Sequence, residues 1–77
     1  MQTLLFFGIL TDLMGGTEHR INEKFADIDA LKNYLQQQYS SLSKHTYKIA
    51  VNGEILEGNK ILEEGDEIAF LPPFAGG

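Results

Sequence analysis

The 77-residue sequence closes on Leu71-Pro72-Pro73-Phe74-Ala75-Gly76-Gly77, and the reactive group it offers is the α-carboxylate of Gly77. Glycine has no Cβ, so a Gly76-Gly77 end can thread a narrow channel and take backbone angles closed to other residues. A carboxylate is inert until it becomes a better leaving group. Adenylation by ATP would achieve that, after which a sulfur or amine nucleophile can displace AMP. The expectation is a carrier whose own last glycine serves as the prosthetic group, passing through an acyl-adenylate. Phe74 to Gly77 would reach on the order of 13 Å from a folded body, at about 3.3–3.6 Å per extended residue. Pro72-Pro73 stiffens the exit and lowers the ordering cost of docking. With this glycine content, two terminal glycines arise by chance in about 1% of chains, so the dipeptide gains weight only from what precedes it.

No other chemistry competes with the tail. The chain has no cysteine, which excludes disulfides, iron–sulfur clusters, thiolate zinc sites and a cysteine nucleophile, and fits a cytosolic protein. His19 and His45 lie far apart, lack metal-ligand spacing and read as surface histidines. The serines sit in a polar loop without a nucleophile elbow. Gly15-Gly16-Thr17 is too short for a phosphate loop and reads as a plain turn. Glu63-Glu64 and Asp66-Glu67 read as solvated carboxylates, with docking of a basic partner as the alternative. The formal net charge of -5 disfavours nucleic acid and suits a partner with a basic docking surface. No apolar run approaches the ~18 residues of a membrane span, and the start, Met1-Gln2-Thr3-Leu4, lacks the basic region of a signal peptide. A cytoplasmic location without membrane association is expected, with no bound metal or cofactor.

Something must aim such a tail. The apolar run from Thr3 to Ile9 predicts a buried first strand. Thr11 or Asp12 can cap a short helical turn through Leu13 and Met14, stopped by Gly15-Gly16. Glu18 to Asn22 predicts a wet edge strand. Phe25 to Tyr39 predicts the main helix, capped by Asp27 or Asp29, with Ile28, Leu31, Leu35 and Tyr39 as its apolar stripe. Ser40 to His45 has loop composition. Tyr47 to Val51 reads as a strand, Asn52-Gly53 as a type I′ hairpin turn, and Glu54-Ile55-Leu56 as the return. Gly58-Asn59 and Glu64-Gly65 are further turns, with Ile61-Leu62 expected to plug the core between them. Asp66 to Leu71 predicts the last strand, ended by the prolines.

The order predicts an α+β roll of the β-grasp type, a mixed sheet with one main helix on one face. The last strand should lie parallel to the first in the middle of the sheet. The domain should cover residues 1–73, with a flexible Gly-Gly tail at 74–77. Period-2 alternation puts Leu4, Phe6, Ile68 and Phe70 on one face, and Leu5, Phe7, Ile9, Ala69, Leu71 and Pro73 on the other. One helix covers one face. The other is then an apolar interface, unless the Ser40 to His45 loop folds over part of it or the two faces are exchanged.

Five blocks carry a resemblance: Leu5-Phe6-Phe7-Gly8; Leu13-x-Gly15; Leu31-x-x-Tyr34-Leu35; Ala50-Val51-Asn52-Gly53-Glu54; and Gly65-Asp66-Glu67-Ile68-Ala69-Phe70-Leu71-Pro72-Pro73-x-x-Gly76-Gly77. Together they resemble, almost end to end, the small subunits of molybdopterin synthase, ubiquitin-like sulfur carriers. The last block is the most specific. The resemblance implies that Gly77 is adenylated by an E1-like adenylyltransferase with ATP and converted to a thiocarboxylate. It implies that the tail enters the large synthase subunit, within a heterotetramer, and donates sulfur to precursor Z (cyclic pyranopterin monophosphate). The chain would then be a sulfur-donating subunit that is no enzyme alone, its catalytic groups lying in the large subunit. Phe7, Leu71 and Ile55 match the family's partner contacts, and Pro73, Phe74 and Ala75 are expected to touch partners along the tail. Alternatives from the same residues are a carrier for thiazole or another sulfur pathway, a ubiquitin-like protein modifier, or an interaction module with an inert tail.

Overall fold

The computed structural model describes residues 2–72. Strands β1 (Gln2–Phe6), β2 (Glu18–Ile21), β3 (Lys48–Val51), β4 (Glu54–Ile55) and β5 (Glu67–Leu71) form one sheet in the order β2-β1-β5-β3-β4. Only β1 and β5 run parallel, with Leu4 opposite Ile68 and Phe6 opposite Phe70. The β-grasp expectation and the central parallel pair are therefore both present.

Helix α2 (Ile28–Gln38) crosses one face. Its first turn is capped twice. The Asp27 carboxylate accepts from the Ala30 N–H at 2.9 Å, and the Asn59 side-chain oxygen accepts from the Asp29 N–H at 2.9 Å. Of the two candidate caps it is Asp27 that works, and the helix starts three residues later than expected. Phe25 lies outside it, its ring 5.0 Å from that of Tyr34. Ile28, Leu31 and Leu35 are buried as the stripe required, whereas Tyr39 ends the helix and is exposed.

These residues meet Leu4, Phe6, Ile68 and Phe70 in one apolar cluster, with the Phe6 and Phe70 rings stacked 4.9 Å apart. The segment read as a loop is a 3-10 helix (Ser40–Lys44) that buries Leu42 completely in this same cluster. It plugs the helix side and leaves the opposite face alone. Helix α1 (Ile9–Met14) adds Leu10 and Met14 to the cluster.

Four local expectations are corrected. The first strand ends at Phe6, because Gly8 takes φ +63° and turns the chain into α1; Ile9 is therefore an exposed helical residue. Thr11 does not cap α1. It lies within the helix, and its hydroxyl donates to the Phe6 carbonyl at 2.8 Å. Ile61 is 76% exposed, so only Leu62 plugs the core. His19 is not a wet surface residue: it faces the helix side opposite Leu4, with its ring edge-on to Phe6 and Nε2 buried.

Asp66 is also not solvated. It is buried, accepting from the Glu63 N–H at 2.8 Å and the Asn52 side-chain amide at 3.0 Å. Asn52 sits at φ +51° in the Asn52-Gly53 turn, as the type I′ reading requires. Its other side-chain atom accepts from the Glu67 N–H at 3.0 Å. The hairpin turn thus holds the root of β5. The Glu63 backbone donor, the Asn52 amide and then the positive charge of Lys60 lower the Asp66 pKa from 3.8 against a desolvation penalty. A carboxyl depressed in the folded state stabilises it fully above the ordinary value of 3.8, and that contribution is lost as pH falls through the lower folded value. Urea denaturation across acid pH should show Asp66→Asn less stable than the parent at neutral pH. The gap should close only below the ordinary carboxylate range.

Candidate docking face and tail root

The alternation that buries Leu4 and Phe6 turns Thr3, Leu5 and Phe7 to the opposite side. Register then assembles that side across the sheet. Leu5 stands beside Ala69, Ala69 beside Ala50, and Ala50 beside Ile55. Leu71 faces the same way beside Lys48. The middle of this face is shallow, because Ala50 and Ala69 project little. Its margins rise to Phe7, 40% exposed, and Ile55, 59% exposed. At the β2 edge, Glu18 and Arg20 lie on this side opposite Leu5 and Thr3 and pair at 2.9 Å. The face is an apolar floor with a charged rim, the composition of a protein interface.

Phe7 and Leu71 therefore share one face, as the alternation requires, and the register adds Ile55 to it. Pro73, Phe74, Ala75, Gly76 and Gly77 lie outside the described residues. The chain reaches Pro72 on the border of the face. The Phe7 N–H donates to the Phe70 carbonyl at 3.1 Å, extending the β1–β5 pairing past the strand end. Across from it, the Pro72 ring lies against Gly8. Phe7, Gly8, Leu71 and Pro72 thus form one collar where the chain leaves the sheet. Two contributors escaped the sequence reading. Ala50 was legible in the alternation of Tyr47 to Val51, which puts it beside the Asn52-Gly53 turn on the open face. Gly8 gave no local signal beyond being a glycine after an aromatic run.

Among the described residues no group of three or more acidic or histidine side chains could hold a metal ion, and no helix is long and apolar enough to cross a membrane. An open cleft of about 300 Å³ lies elsewhere, between the start of α2 and β3. It is lined by Lys32, Lys48, Asp29 and Glu57 among others, and its mixed charges define no ligand.

The ThiS family model matches residues 4–77. A molybdopterin synthase sulfur carrier subunit from Haemophilus influenzae is 31% identical over an alignment of 81 positions, covering 100% of both chains. One from Mycobacterium tuberculosis is 35% identical over 78 residues, covering 96% of this chain and 94% of that one. Among solved structures, the complex of subunits 1 and 2 of molybdopterin-converting factor from Helicobacter pylori holds a similar chain. Its TM-score is 0.74 at 28% identity, over 99% of this chain and 97% of that one. SAMP1 from Haloferax volcanii has a TM-score of 0.76 at 21% identity, over 99% and 98%, a likeness of fold. A five-stranded ubiquitin-like sheet with one main helix, matched by family and relatives along nearly its full length, leads to one conclusion: the chain belongs to the ThiS family.

Proposed function

We propose that this chain is a sulfur carrier for molybdenum cofactor synthesis, which bears its sulfur as a thiocarboxylate on Gly77 and delivers it inside molybdopterin synthase. The sulfur-carrier assignment follows from relatives of that name that align over all or nearly all of the chain. One structural observation supports the rest of the scheme. The uncovered apolar face is continuous with the tail root, Phe7 and Leu71 standing beside Pro72. A partner seated on that face is therefore automatically placed where residues 73–77 begin.

The chemistry needs two partners. An E1-like adenylyltransferase would direct the Gly77 carboxylate oxygen onto the α-phosphorus of ATP, releasing pyrophosphate. A sulfur nucleophile then attacks the carbonyl carbon and AMP leaves, forming the carbon–sulfur bond. The large synthase subunit would receive the loaded tail, and its groups would move the sulfur to precursor Z. This chain supplies the docking face, the exit and the reacting carboxylate. Its face is apolar at the centre, and its net charge of -5 favours encounter with basic surfaces.

The test is an intact mass after incubation with ATP, the activating enzyme and a sulfur source. Exchange of one carboxylate oxygen for sulfur adds about 16 Da. The loaded chain should then convert precursor Z when the large subunit is added. Sulfur delivered only to a thiazole synthase, or isopeptide-linked adducts in place of the thiocarboxylate, would defeat the proposal.

A further inference from the structure

The tail root lies against a turn whose shape calls for glycine. Gly8 has φ +63° and ψ -141°, a combination that residues with a Cβ rarely adopt. A Cβ there would stand 3.3 Å from Pro72 Cγ, 3.6 Å from its Cβ and 3.7 Å from its Cδ. The Pro72 ring therefore occupies the space that a side chain at position 8 would need. Gly8 is itself held firmly. Its carbonyl accepts from the Thr11 N–H at 3.1 Å, the Phe7 carbonyl accepts from the Leu10 N–H at 3.3 Å, and Leu10 is 1% exposed in the core. On the other side of the contact, proline fixes its own φ near −65° and restricts the residue before it to extended geometry. With Leu71 paired in β5 and the ring seated on Gly8, little freedom remains before Pro73.

We propose that Gly8 is a positioning residue for sulfur transfer: its bare Cα seats the Pro72 ring and so fixes the direction in which the chain leaves the sheet. The role rests on the thiocarboxylate reading given above. Gly8 touches no reacting atom. It acts through Pro72, by setting the direction from which the reacting end approaches the groups that act on it. Docking through the open face does not need it, so affinity and turnover should separate.

The experiment uses the full chain, loaded as thiocarboxylate and presented to the large subunit with precursor Z. Four variants are compared with the parent: Gly8→Ala, Gly8→Val, Gly8→Ala with Pro72→Ala, and a semisynthetic chain with D-alanine at position 8. D-alanine favours positive φ and points its methyl group away from the side that meets Pro72. Gly8→Val is expected to lower the single-turnover transfer rate on the order of tenfold to hundredfold, the scale of a small misplacement of reacting groups. Half-saturation by the large subunit should change little, and Gly8→Ala should fall between Val and the parent. The D-alanine chain should transfer like the parent, and Pro72→Ala should recover part of the Gly8→Ala loss. Melting curves taken alongside report the folded fraction. If Gly8→Val does not fold, Gly8→Ala and its D-alanine counterpart make the comparison alone. Folded Gly8 variants that transfer at the parental rate would overturn the proposal, as would a D-alanine chain as slow as its L counterpart. A parent that acquires no thiocarboxylate defeats the sulfur-carrier reading itself, and with it this role.

Discussion

Deleting Gly77 should abolish sulfur transfer while leaving the melting curve of the domain unchanged. The deletion moves the terminal carboxylate back by one residue, about 3.3–3.6 Å along an extended chain. Misplacement by about 1 Å can cost on the order of a hundredfold in rate, so a shift several times larger leaves no measurable turnover. Among the described residues the core runs from Leu4 to Phe70, and Pro72 makes the contact with Gly8. Two assays check this together. A thermal melt should superimpose on that of the parent, and the mass gain on activation should fail to support conversion of precursor Z. Retained cofactor synthesis would return the tail to an inert extension and leave the open face as the protein's only functional feature.

The second large effect should come from Phe7→Asp. Phe7 stands at the tail end of the apolar floor, 40% exposed, beside the root at Leu71 and Pro72. Aromatic residues that become fully covered at an interface commonly contribute about 2 kcal/mol or more to binding, and a buried unpaired carboxylate adds to the loss. Affinity for the large subunit should fall by at least about thirtyfold in a calorimetric titration. Ile55→Asp should do less, since Ile55 is more exposed on a two-residue strand at the sheet edge, where water returns easily. Both variants should fold, because exposed positions tolerate substitution within about 0.5 kcal/mol. Equal losses at the two positions would show that the partner does not centre on the tail root.

What could be read from the sequence was what neighbours in sequence determine. Alternation in Thr3 to Phe7 and in Ile68 to Leu71 sorted the two faces correctly, because side chains in a strand have no choice of side. Asn52-Gly53 announced its turn because few residues tolerate positive φ twice in succession. Phe7 and Leu71 came to the open face from the same alternation, with the family resemblance beside it, whereas Ile55 came from the resemblance alone. The misses were tertiary. Leu42 looks like one apolar residue in a serine-rich loop, and only the placement of both helices makes it core. Asp66 looks like one more surface acid, until the Asn52 amide arrives from another hairpin to bond it. Ile61 and Leu62 are alike in sequence, and the bridge that pairs Ile61 with Asp27 decides which of them points inward. Gly8 became informative only when Pro72, far along the chain, was seen to lie against it.

The central place of β5 also sets an order of events during synthesis. Residues 67–71 are the last of the five strands to be made, yet they join β1 on one side and β3 on the other. Until they emerge, the sheet is two separate hairpins with no shared middle, and isolated hairpins are marginal in water. The pairing of Leu4 with Ile68 spans most of the chain, a kind of contact that closes slowly. A chain cut short before β5 therefore offers neither a sheet nor the segment that leads to Pro72. Display of the tail root and completion of the sheet are one event.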